Sequence, residues 1–369
     1  MNKIIVIGVE PSYLINFRGE LLKSMTTHGS NVTTISNIPT NIQMASLEAF
    51  DVASDFVTFS RGKLSVTSDL KVFIELIKKY KAIKPCIVLA YTIKPVIWGG
   101  IAARFFPNIQ FYGLVTGLGF AFQGDSFKRK LLTKLVVSLY KISLKNSKAI
   151  IFQNKDNRDI FIEKGIVPIS KTHIVNGSGV NIKKYSVVGF PKGNIRFLCI
   201  ARLLGEKGLR EYAQAAQIVR DKFPNVEFDL VGQADPSPDS IPLREVNSWS
   251  DYINYKGPTS DVRPYIKNSH VHVLPSYHEG LPRSTLEAMS MGRPILTTNA
   301  VGCKDTVENG VNGFKVQVGS VDELVVKMIW FIENGGQIKN MGLESRRMVE
   351  DKFDVHKVNK EMLKIMDIR

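Results

Sequence analysis

The stretch HVHVLPSYHEGLPRSTLEAM, residues 270–289, contains an apolar run, a loop and the first turns of a predicted helix in direct succession. The amino terminus of a helix presents free N–H groups and a partial positive charge, which favour phosphate. Glu279 in the loop and Glu287 in the helix would repel a phosphate, but their carboxylates can accept hydrogen bonds from sugar or ribose hydroxyls. Taken alone, the pair is equally compatible with a surface Glu and a capping Glu.

The same alternation of strand and helix runs along the chain. Predicted strands are Lys3–Val9, Asn31–Ser36, Cys86–Tyr91, Gln110–Val115, Ala149–Asn154, Ile195–Ala201, Glu227–Val231, His270–Leu274 and Pro294–Thr297. Segments with helical spacing include Asp69–Lys81, Lys128–Lys145, Gly208–Phe223 and Val321–Glu333. Strands that alternate with helices of this length predict parallel sheets built from βαβ units, an α/β fold.

The pattern occurs twice, and a Gly-containing stretch over residues 177–194 separates the two series. We therefore predict two Rossmann-like, doubly wound domains over residues 1–185 and 186–352. Residues 353–369 form a predicted C-terminal helix that returns to the first domain. Ligands are expected at the carboxyl ends of the strands, in a crevice between the domains.

Composition and charge narrow the classes of function. Of the 369 residues, 44% are hydrophobic and 22% are charged, which is typical of a globular protein and excludes a mainly disordered chain. Residues 1–188 carry 25 Lys and Arg against 11 Asp and Glu, whereas residues 189–369 carry 24 against 23. An anionic partner of the first half is therefore expected; nucleic acid, anionic lipid and a phosphorylated substrate all satisfy this.

Three widely spaced cysteines form neither a disulfide framework nor a zinc knuckle, which favours a reducing cytoplasm. No apolar run is long enough to predict a transmembrane helix or a signal peptide. His270 and His272 share one face of a predicted strand, a spacing that could suggest a metal pair. No Asp-x-Asp is present, which excludes that motif for a metal-bound diphosphate. No Gly-x-Gly-x-x-Gly follows the first strand, so a nicotinamide dehydrogenase is disfavoured.

A second group of candidate residues lies in FLCIARLLGEKGL, residues 197–209. Arg202 follows a predicted strand, and Lys207 begins the next helix. Two cations at the carboxyl edge of a parallel sheet are well placed to hold a diphosphate.

The two groups of candidate residues resemble the motifs of a known enzyme family. Glu279 and Glu287, preceded by Pro275-Ser276, and the run Arg202–Gly208 resemble the retaining glycosyltransferases of family four, which have the GT-B fold. The resemblance extends over nearly the whole chain, from Asn16–Gly19 to the terminal helix. Val115–Gly119 and Phe152–Asn154 resemble loops of bacterial members that extend a sugar on undecaprenyl diphosphate.

The resemblance implies roles for the motif residues. Arg202 and Lys207 would neutralise the diphosphate of a leaving UDP, Glu279 would hold hydroxyls of the donor sugar, and Glu287 would hold the ribose. Backbone N–H groups near Gly280 and Leu281 would complete the phosphate site. Such enzymes retain the anomeric configuration. A front-face reaction, in which a donor phosphate oxygen takes the acceptor proton, needs no protein base.

The same resemblance implies the substrates. The donor would be a UDP-sugar, with GalNAc or GlcNAc as the best guess, and no cofactor or metal would be needed. Many family members carry a His where Thr116 stands, so a threonine hydroxyl is the donor-site group expected here. The acceptor would be an undecaprenyl-diphosphate-linked sugar bound on the first domain by Arg18 and Lys94, in O-antigen or other polysaccharide assembly.

A basic helix is predicted over Ser126–Lys148. Its lysines fall on one stripe: Lys130, Lys134, Lys141, Lys145 and Lys148. Its apolar residues fall on another: Leu131, Leu132, Leu135, Val136, Leu139 and Ile142. We expect the apolar stripe to face the core and the lysines to face water or the anionic headgroups of the inner membrane face. The enzyme would then be cytoplasmic and peripheral to the membrane.

Two alternative functions remain open at this point. A UDP-sugar 2-epimerase shares the two-domain fold, although the spacing of the Arg–Lys and Glu–Glu pairs favours a transferase. A basic nucleic-acid-binding module would need aromatic residues interleaved with Lys and Arg, and the sequence has no clear run of that kind. We therefore expect no nucleic-acid partner.

Overall fold

Two parallel β-sheets organise the chain in the computed structural model, which describes residues 2–60, 66–118, 122, 127–237 and 239–368. The first sheet contains β1 Lys3–Ile7, β2 Asn31–Ser36, β3 Ala53–Phe56, β4 Ile87–Tyr91, β5 Gln110–Val115, β6 Ala149–Phe152 and β7 Thr172–Ile174. Its order is β3-β2-β1-β4-β5-β6-β7, and all neighbours are parallel. The central strands are buried on both faces, as expected for a sheet with helices on each side.

The second sheet has the same plan with six strands. They are β8 Arg196–Ile200, β9 Glu227–Val231, β10 Asn254–Tyr255, β11 Val271–Leu274, β12 Ile295–Thr298 and β13 Gly313–Val316. The order is β10-β9-β8-β11-β12-β13, again parallel throughout. The predicted fold of two Rossmann-like domains is confirmed.

Helices connect the strands. In the first half they are α1 Pro11–Tyr13, α2 Gly19–Thr27, α3 Asn41–Glu48, α4 Val66–Ile83, α5 Ile93–Ala103, α6 Phe127–Leu144 and α7 Lys155–Glu163, with a π-helical turn Leu14–Arg18 between α1 and α2. In the second half they are α8 Leu209–Lys222, α9 Leu243–Asn247, α10 Arg263–Lys267, α11 Arg283–Ser290, α12 Val321–Glu333, α13 Gly335–Met348 and α14 Val355–Ile365. Side-chain caps define several starts; Asn154, for example, caps α7 through its bond from the Asn157 N–H.

The chain divides into two compact units, Met1–Ser178 with His356–Arg369, and Gly179–Val355. These limits differ by a few residues from the predicted 185/186 and 352/353. Gly179 and Val180 belong to the second unit because Val180 forms a bridge with Asp354 and packs in the second unit's core. The terminal helix α14 places Met362 and Leu363 in the core of the first unit, beside β1 and β4.

All nine predicted strands are present, and their bounds agree to within two residues. Four strands escaped prediction: β3, β7, β10 and β13. Each is an edge strand of its sheet, and edge positions do not require the continuous apolar runs that identify central strands.

The expected orientation of the basic helix is wrong for half of its apolar stripe. Val136 of α6 packs in the core, together with Tyr140 and Leu144. Leu131, Leu135 and Ile142, however, are 62%, 51% and 44% exposed. The inward face is set by α5 and the sheet, and these three side chains lie on the opposite side, among the lysines. Within the described residues, no helix combines the length and hydropathy needed to span a bilayer.

Candidate active site

The predicted diphosphate and sugar residues lie at adjoining strand ends of the second unit. β8 pairs with β11, so the loops that follow these strands are neighbours at the carboxyl edge of the sheet. Gly208 shows how close the loops are: its φ is +68°, and a Cβ there would lie 2.1 Å from the Pro275 carbonyl oxygen. No other residue type fits this position without displacing the backbone.

Lys207 and Glu279 form the centre of the site. Lys207 Nζ donates to Glu279 Oε1 at 2.8 Å, and Glu206 Oε1 lies 3.3 Å from the same nitrogen. Ser276 Oγ also donates to Glu279 Oε1, at 3.0 Å. Burial alone would lower the pKa of the Lys207 ammonium, but the carboxylates of Glu279 and Glu206 outweigh burial, and its pKa is raised. Lys207 is therefore a buried, permanently charged cation at neutral pH.

Arg202 lies beside this pair on the same loop. Its Nη1 donates to Asp235 Oδ2 at 2.6 Å, and its side chain is 39% exposed, so a ligand can reach it. Burial opposes ionisation of Asp235, but the Ser237 N–H and the Arg202 charge outweigh it and lower the pKa of the carboxyl group. Asp235 holds the guanidinium at the edge of the sheet.

The amino terminus of α11 lies next to these cations. Its N-cap is Pro282, whose side chain cannot accept a bond from the first-turn N–H groups. The preceding loop, with Gly280 and Leu281, packs tightly on the loop after β12: a Cβ on Gly302 would lie 2.5 Å from the Gly280 carbonyl oxygen. The arrangement suits an anion, because Lys207 is bonded to Glu279 in the loop that leads into α11, and no side chain caps the first-turn N–H groups of this helix.

Glu287 lies one turn into α11 and is held by two partners. Arg283 Nε donates to Glu287 Oε1 at 2.9 Å, and Arg283 Nη1 donates to the Gly179 carbonyl at 2.6 Å. Burial, together with the Glu287 carboxylate that accepts its hydrogen bond, raises the pKa of Tyr185. Arg283 and Tyr185 thus orient the Glu287 side chain as a hydrogen-bond acceptor, as recognition of hydroxyl groups requires.

The two histidines of the β11 region have structural surroundings. His272 is fully buried, and burial lowers its pKa to about 3. His270 Nδ1 accepts from the Arg196 N–H at 3.1 Å. Among the described residues, no group of three or more His, Cys, Asp or Glu side chains is arranged to hold a metal ion.

In the first unit, Arg18 lies at the carboxyl ends of the central strands. It is 4% exposed, and its guanidinium carbon lies 5.5 Å from the centre of the Tyr91 ring. With the Gln153 amide oriented to suit its neighbours, its oxygen accepts from Arg18 Nη2 at 3.2 Å and its nitrogen donates to the Thr116 carbonyl at 3.2 Å. The two loops that resemble the undecaprenyl-diphosphate subgroup therefore meet here. Gly119 of that motif lies outside the described residues.

Lys94 has a different environment from Arg18. Its Nζ donates to Asp69 Oδ1 at 2.8 Å and to Ser60 Oγ at 2.6 Å, and Asp69 is 3% exposed. The preceding residue but one, Thr92, has a φ of +67°, an unusual conformation for a β-branched residue. Lys94 therefore neutralises a buried carboxylate, whatever contact it makes with a substrate.

Sequence reasoning missed several residues of these sites. Asp235 had no local signal, because its partner Arg202 lies 33 positions away. Tyr185, in the predicted linker, gave no signal either. Arg283 could have been found, since Arg and Glu four residues apart on a helix are neighbours.

Comparisons with known proteins identify the family and the fold. A family profile described as Glycosyl transferases group 1 matches residues 194–334, and one described as Glycosyl transferase 4-like matches residues 10–154. Together the two profiles cover the greater part of both units.

Two curated relatives are similar along most of the chain. The N,N'-diacetylbacillosaminyl-diphospho-undecaprenol alpha-1,3-N-acetylgalactosaminyltransferase of Campylobacter jejuni is 28% identical over 87% of each chain. The UDP-Gal:alpha-D-GlcNAc-diphosphoundecaprenol alpha-1,3-galactosyltransferase of Escherichia coli is 27% identical over 75% of this chain and 74% of its own.

Solved structures share the fold. The sucrose-phosphate synthase of Thermosynechococcus elongatus superposes with a TM-score of 0.81 at 17% identity, covering 100% of this chain and 98% of its own. The Anabaena protein HepE in complex with UDP gives 0.78 at 17% identity, with both chains fully covered. The chain is therefore a glycosyltransferase with the GT-B fold, composed of a glycosyltransferase-4-like first domain and a group 1 second domain.

Proposed function

We propose that this enzyme transfers a hexose or N-acetylhexosamine from a UDP-sugar to an undecaprenyl-diphosphate-linked sugar, with retention of the anomeric configuration. GalNAc and GlcNAc are the donor sugars we favour. The product would enter O-antigen or other polysaccharide assembly. The names of the two relatives, both of which describe transfer to a diphospho-undecaprenol sugar, support the acceptor class.

The observation that carries the donor half is the buried Lys207 ammonium, 2.8 Å from Glu279 and close to the amino terminus of α11. A nucleoside diphosphate supplies the two kinds of group that this site matches. Its phosphates suit Arg202, Lys207 and the helix N–H groups, and its sugar and ribose hydroxyls suit Glu279 and Glu287. A Lys ammonium has three donors, so Lys207 can bind a phosphate oxygen while it keeps Glu279.

The chemical step follows from where charge develops. The acceptor hydroxyl forms a bond to the anomeric carbon on the face from which UDP departs, and the bond from that carbon to the β-phosphate oxygen breaks. The acceptor proton passes to the departing phosphate. Negative charge grows on the diphosphate, and Arg202 and Lys207 are already oriented to stabilise it, which makes electrostatic stabilisation the main catalytic contribution. These cations take the part that a metal ion takes elsewhere, and we propose that no metal or other cofactor is needed.

The acceptor half is assigned to the first unit. Residues 1–188 carry the excess of Lys and Arg, and Arg18 lies at the strand ends beside Thr116 and Gln153. We assign Arg18 and Lys94 to the acceptor diphosphate and Thr116 to the donor sugar. Because such an acceptor is anchored in a bilayer, the enzyme would work as a peripheral protein on the cytoplasmic face of the membrane, without nucleic acid as a partner.

The test is a donor screen. The purified enzyme is incubated with UDP-GalNAc, UDP-GlcNAc, UDP-Gal or UDP-Glc and a synthetic GlcNAc-diphospholipid, and products are identified by mass spectrometry. The anomeric configuration of the product is then read by NMR. We expect one donor to be preferred and the new linkage to be α.

Lys207→Ala should abolish most turnover, whereas Lys222→Ala, an exposed lysine at the end of α8, should not. An inverted product would refute the retaining mechanism. An epimerised UDP-sugar formed without any acceptor would identify the 2-epimerase instead.

A further inference from the structure

We infer that the outer face formed by helices α4 and α6 and the turn after α5 inserts apolar side chains into an anionic phospholipid bilayer. We call it the three-helix face and define it by its exposed large apolar residues: Leu70, Ile74, Phe105, Leu131, Leu135 and Ile142. The inference rests on the proposed function in one respect, that the acceptor is held in a membrane. It goes beyond charge attraction, because the exposed residues are apolar.

The residues of α6 form one stripe. Leu131, Leu135 and Ile142 are spaced by four and seven positions, which places them on one side of a helix. They are 62%, 51% and 44% exposed, although the same helix packs its opposite side into the core. Single exposed leucines are ordinary in globular proteins, but an aligned set on a surface helix indicates an interaction site.

Helix α4 and the turn after α5 extend the apolar surface. α5 packs against both α4 and α6. The centre of the Phe73 ring in α4 lies 6.0 Å from the centre of the Phe105 ring and 6.4 Å from that of the Trp98 ring. Beside Phe105, Arg104 Nη1 donates a hydrogen bond to the Ile142 carbonyl of α6 at 3.4 Å. Phe105 itself is 65% exposed. The three-helix face is therefore one connected surface and not three separate patches.

The charged residues around the three-helix face indicate what binds there. Lys130, Lys134 and Lys141 each precede one of the exposed apolar residues of α6, and all three are exposed. The sequence of α6 contains five Lys and Arg residues and no acidic residue. Within the described parts of the three helices, Glu75 of α4 is the one exposed acidic side chain.

Long lysine side chains beside apolar groups match an anionic bilayer, where the ammonium stays at the headgroups and the apolar residue enters the acyl region. A second copy of the chain fits less well, because a two-fold interface would place the α6 lysines of one copy against those of the other. We therefore infer that an anionic bilayer covers the three-helix face.

The experiment measures binding to vesicles of phosphatidylglycerol and phosphatidylcholine at low and high salt. The triple variant L131Q/L135Q/I142Q should bind at least about tenfold more weakly than wild type at both salt concentrations, because loss of apolar burial is not screened. The variant K130Q/K134Q/K141Q/K145Q should lose binding mainly at low salt. The matched control is V326Q/L343Q, which changes two apolar residues of the second unit that are 59% and 50% exposed and should bind like wild type.

Trp98 supplies a direct readout of insertion. It lies on α5 beside Phe73, and brominated phosphatidylcholine in the vesicles should quench its fluorescence. The variant W98F should lose that quenching, since Trp249 and Trp330 lie in the second unit. Equal vesicle binding by the triple glutamine variant and wild type would overturn the inference. Failure of the wild-type protein to bind anionic vesicles would overturn it as well. A wild-type dimer in light scattering that L131Q/L135Q/I142Q converts to monomer would assign the surface to a second copy.

A turnover assay distinguishes failure of this inference from failure of the proposed function. Turnover of a water-soluble short-chain acceptor should be unchanged in the triple variant, which then affects docking alone. Absence of turnover with every UDP-sugar would refute the proposed function but would leave the vesicle measurements valid.

Discussion

Glu279→Ala is the substitution whose expected effect on stability differs most between the sequence and the structure. From the sequence alone, Glu279 is an exposed loop residue whose loss should hardly affect folding. In the structure it is the principal counter-ion of Lys207, which is 8% exposed, and it also accepts from Ser276. The substitution leaves a buried ammonium whose remaining carboxylate, Glu206, is 3.3 Å away.

Breaking a buried ion pair from one side costs about 3–5 kcal/mol. Because Glu206 remains near Lys207, we expect Glu279→Ala to lower the free energy of unfolding by less than this range, about 2 kcal/mol. For a unit of this size that corresponds to a fall in melting temperature of about 4–8 °C. Glu279→Gln keeps an oxygen that can accept from Lys207, so it should lose less stability, although both variants should lose most turnover.

The pH dependence of UDP binding tests the electrostatic contribution of the Lys207–Glu279 ion pair. The pKa of Lys207 is raised in the folded protein, so its stabilising contribution is present below the unfolded value of about 10.4 and is lost as pH rises through the folded pKa. In Glu279→Ala, burial acts against a weaker carboxylate field, and the pKa falls. UDP affinity of the variant, measured by calorimetry, should therefore decline at a lower pH than that of wild type.

Scanning calorimetry and urea unfolding measure the stability difference directly. A Glu279→Ala protein that melts within a degree of wild type, with an unchanged pH profile of UDP binding, would refute the pairing of Glu279 with Lys207 in solution.

Four further predictions use the same reasoning. Lys207→Ala should weaken UDP binding in calorimetry by about 10- to 150-fold, the range for loss of a charge-assisted hydrogen bond, and unchanged affinity would remove the residue from the donor site. Turnover should persist in excess EDTA; activity that disappears and returns with Mn²⁺ would show that the cations do not replace a metal. Arg18→Ala should raise the KM for the acceptor and leave the KM for the donor unchanged, and the reverse pattern would contradict the assignment. Lys94→Ala should lower the melting temperature, because Asp69 is left buried without its ion pair, and the double change with Asp69→Asn should recover part of the loss.

Prediction of the fold succeeded where local sequence carries the signal. Central strands such as β1 and β4 are continuous apolar runs, because helices cover both faces of a parallel sheet. The four strands that escaped prediction are the four sheet edges, where a strand is less enclosed and its sequence is more polar. The candidate site residues were likewise predicted from spacing, since Arg202 with Lys207 and Glu279 with Glu287 are close in sequence.

Short-range periodicity and composition were enough to predict the α/β class and the two-domain plan. They also supplied the candidate site residues, whose roles stay predictions. The strand order, in contrast, became known from the folded structure. It brings Lys207 to Glu279 across 72 positions and Arg202 to Asp235 across 33. The folded structure also shows that Lys94 neutralises Asp69 and that Leu131 faces outward among lysines. These features cannot be predicted locally, because the partner and the exposure of a side chain depend on which elements pack against it. That packing is fixed by contacts between residues far apart in the chain.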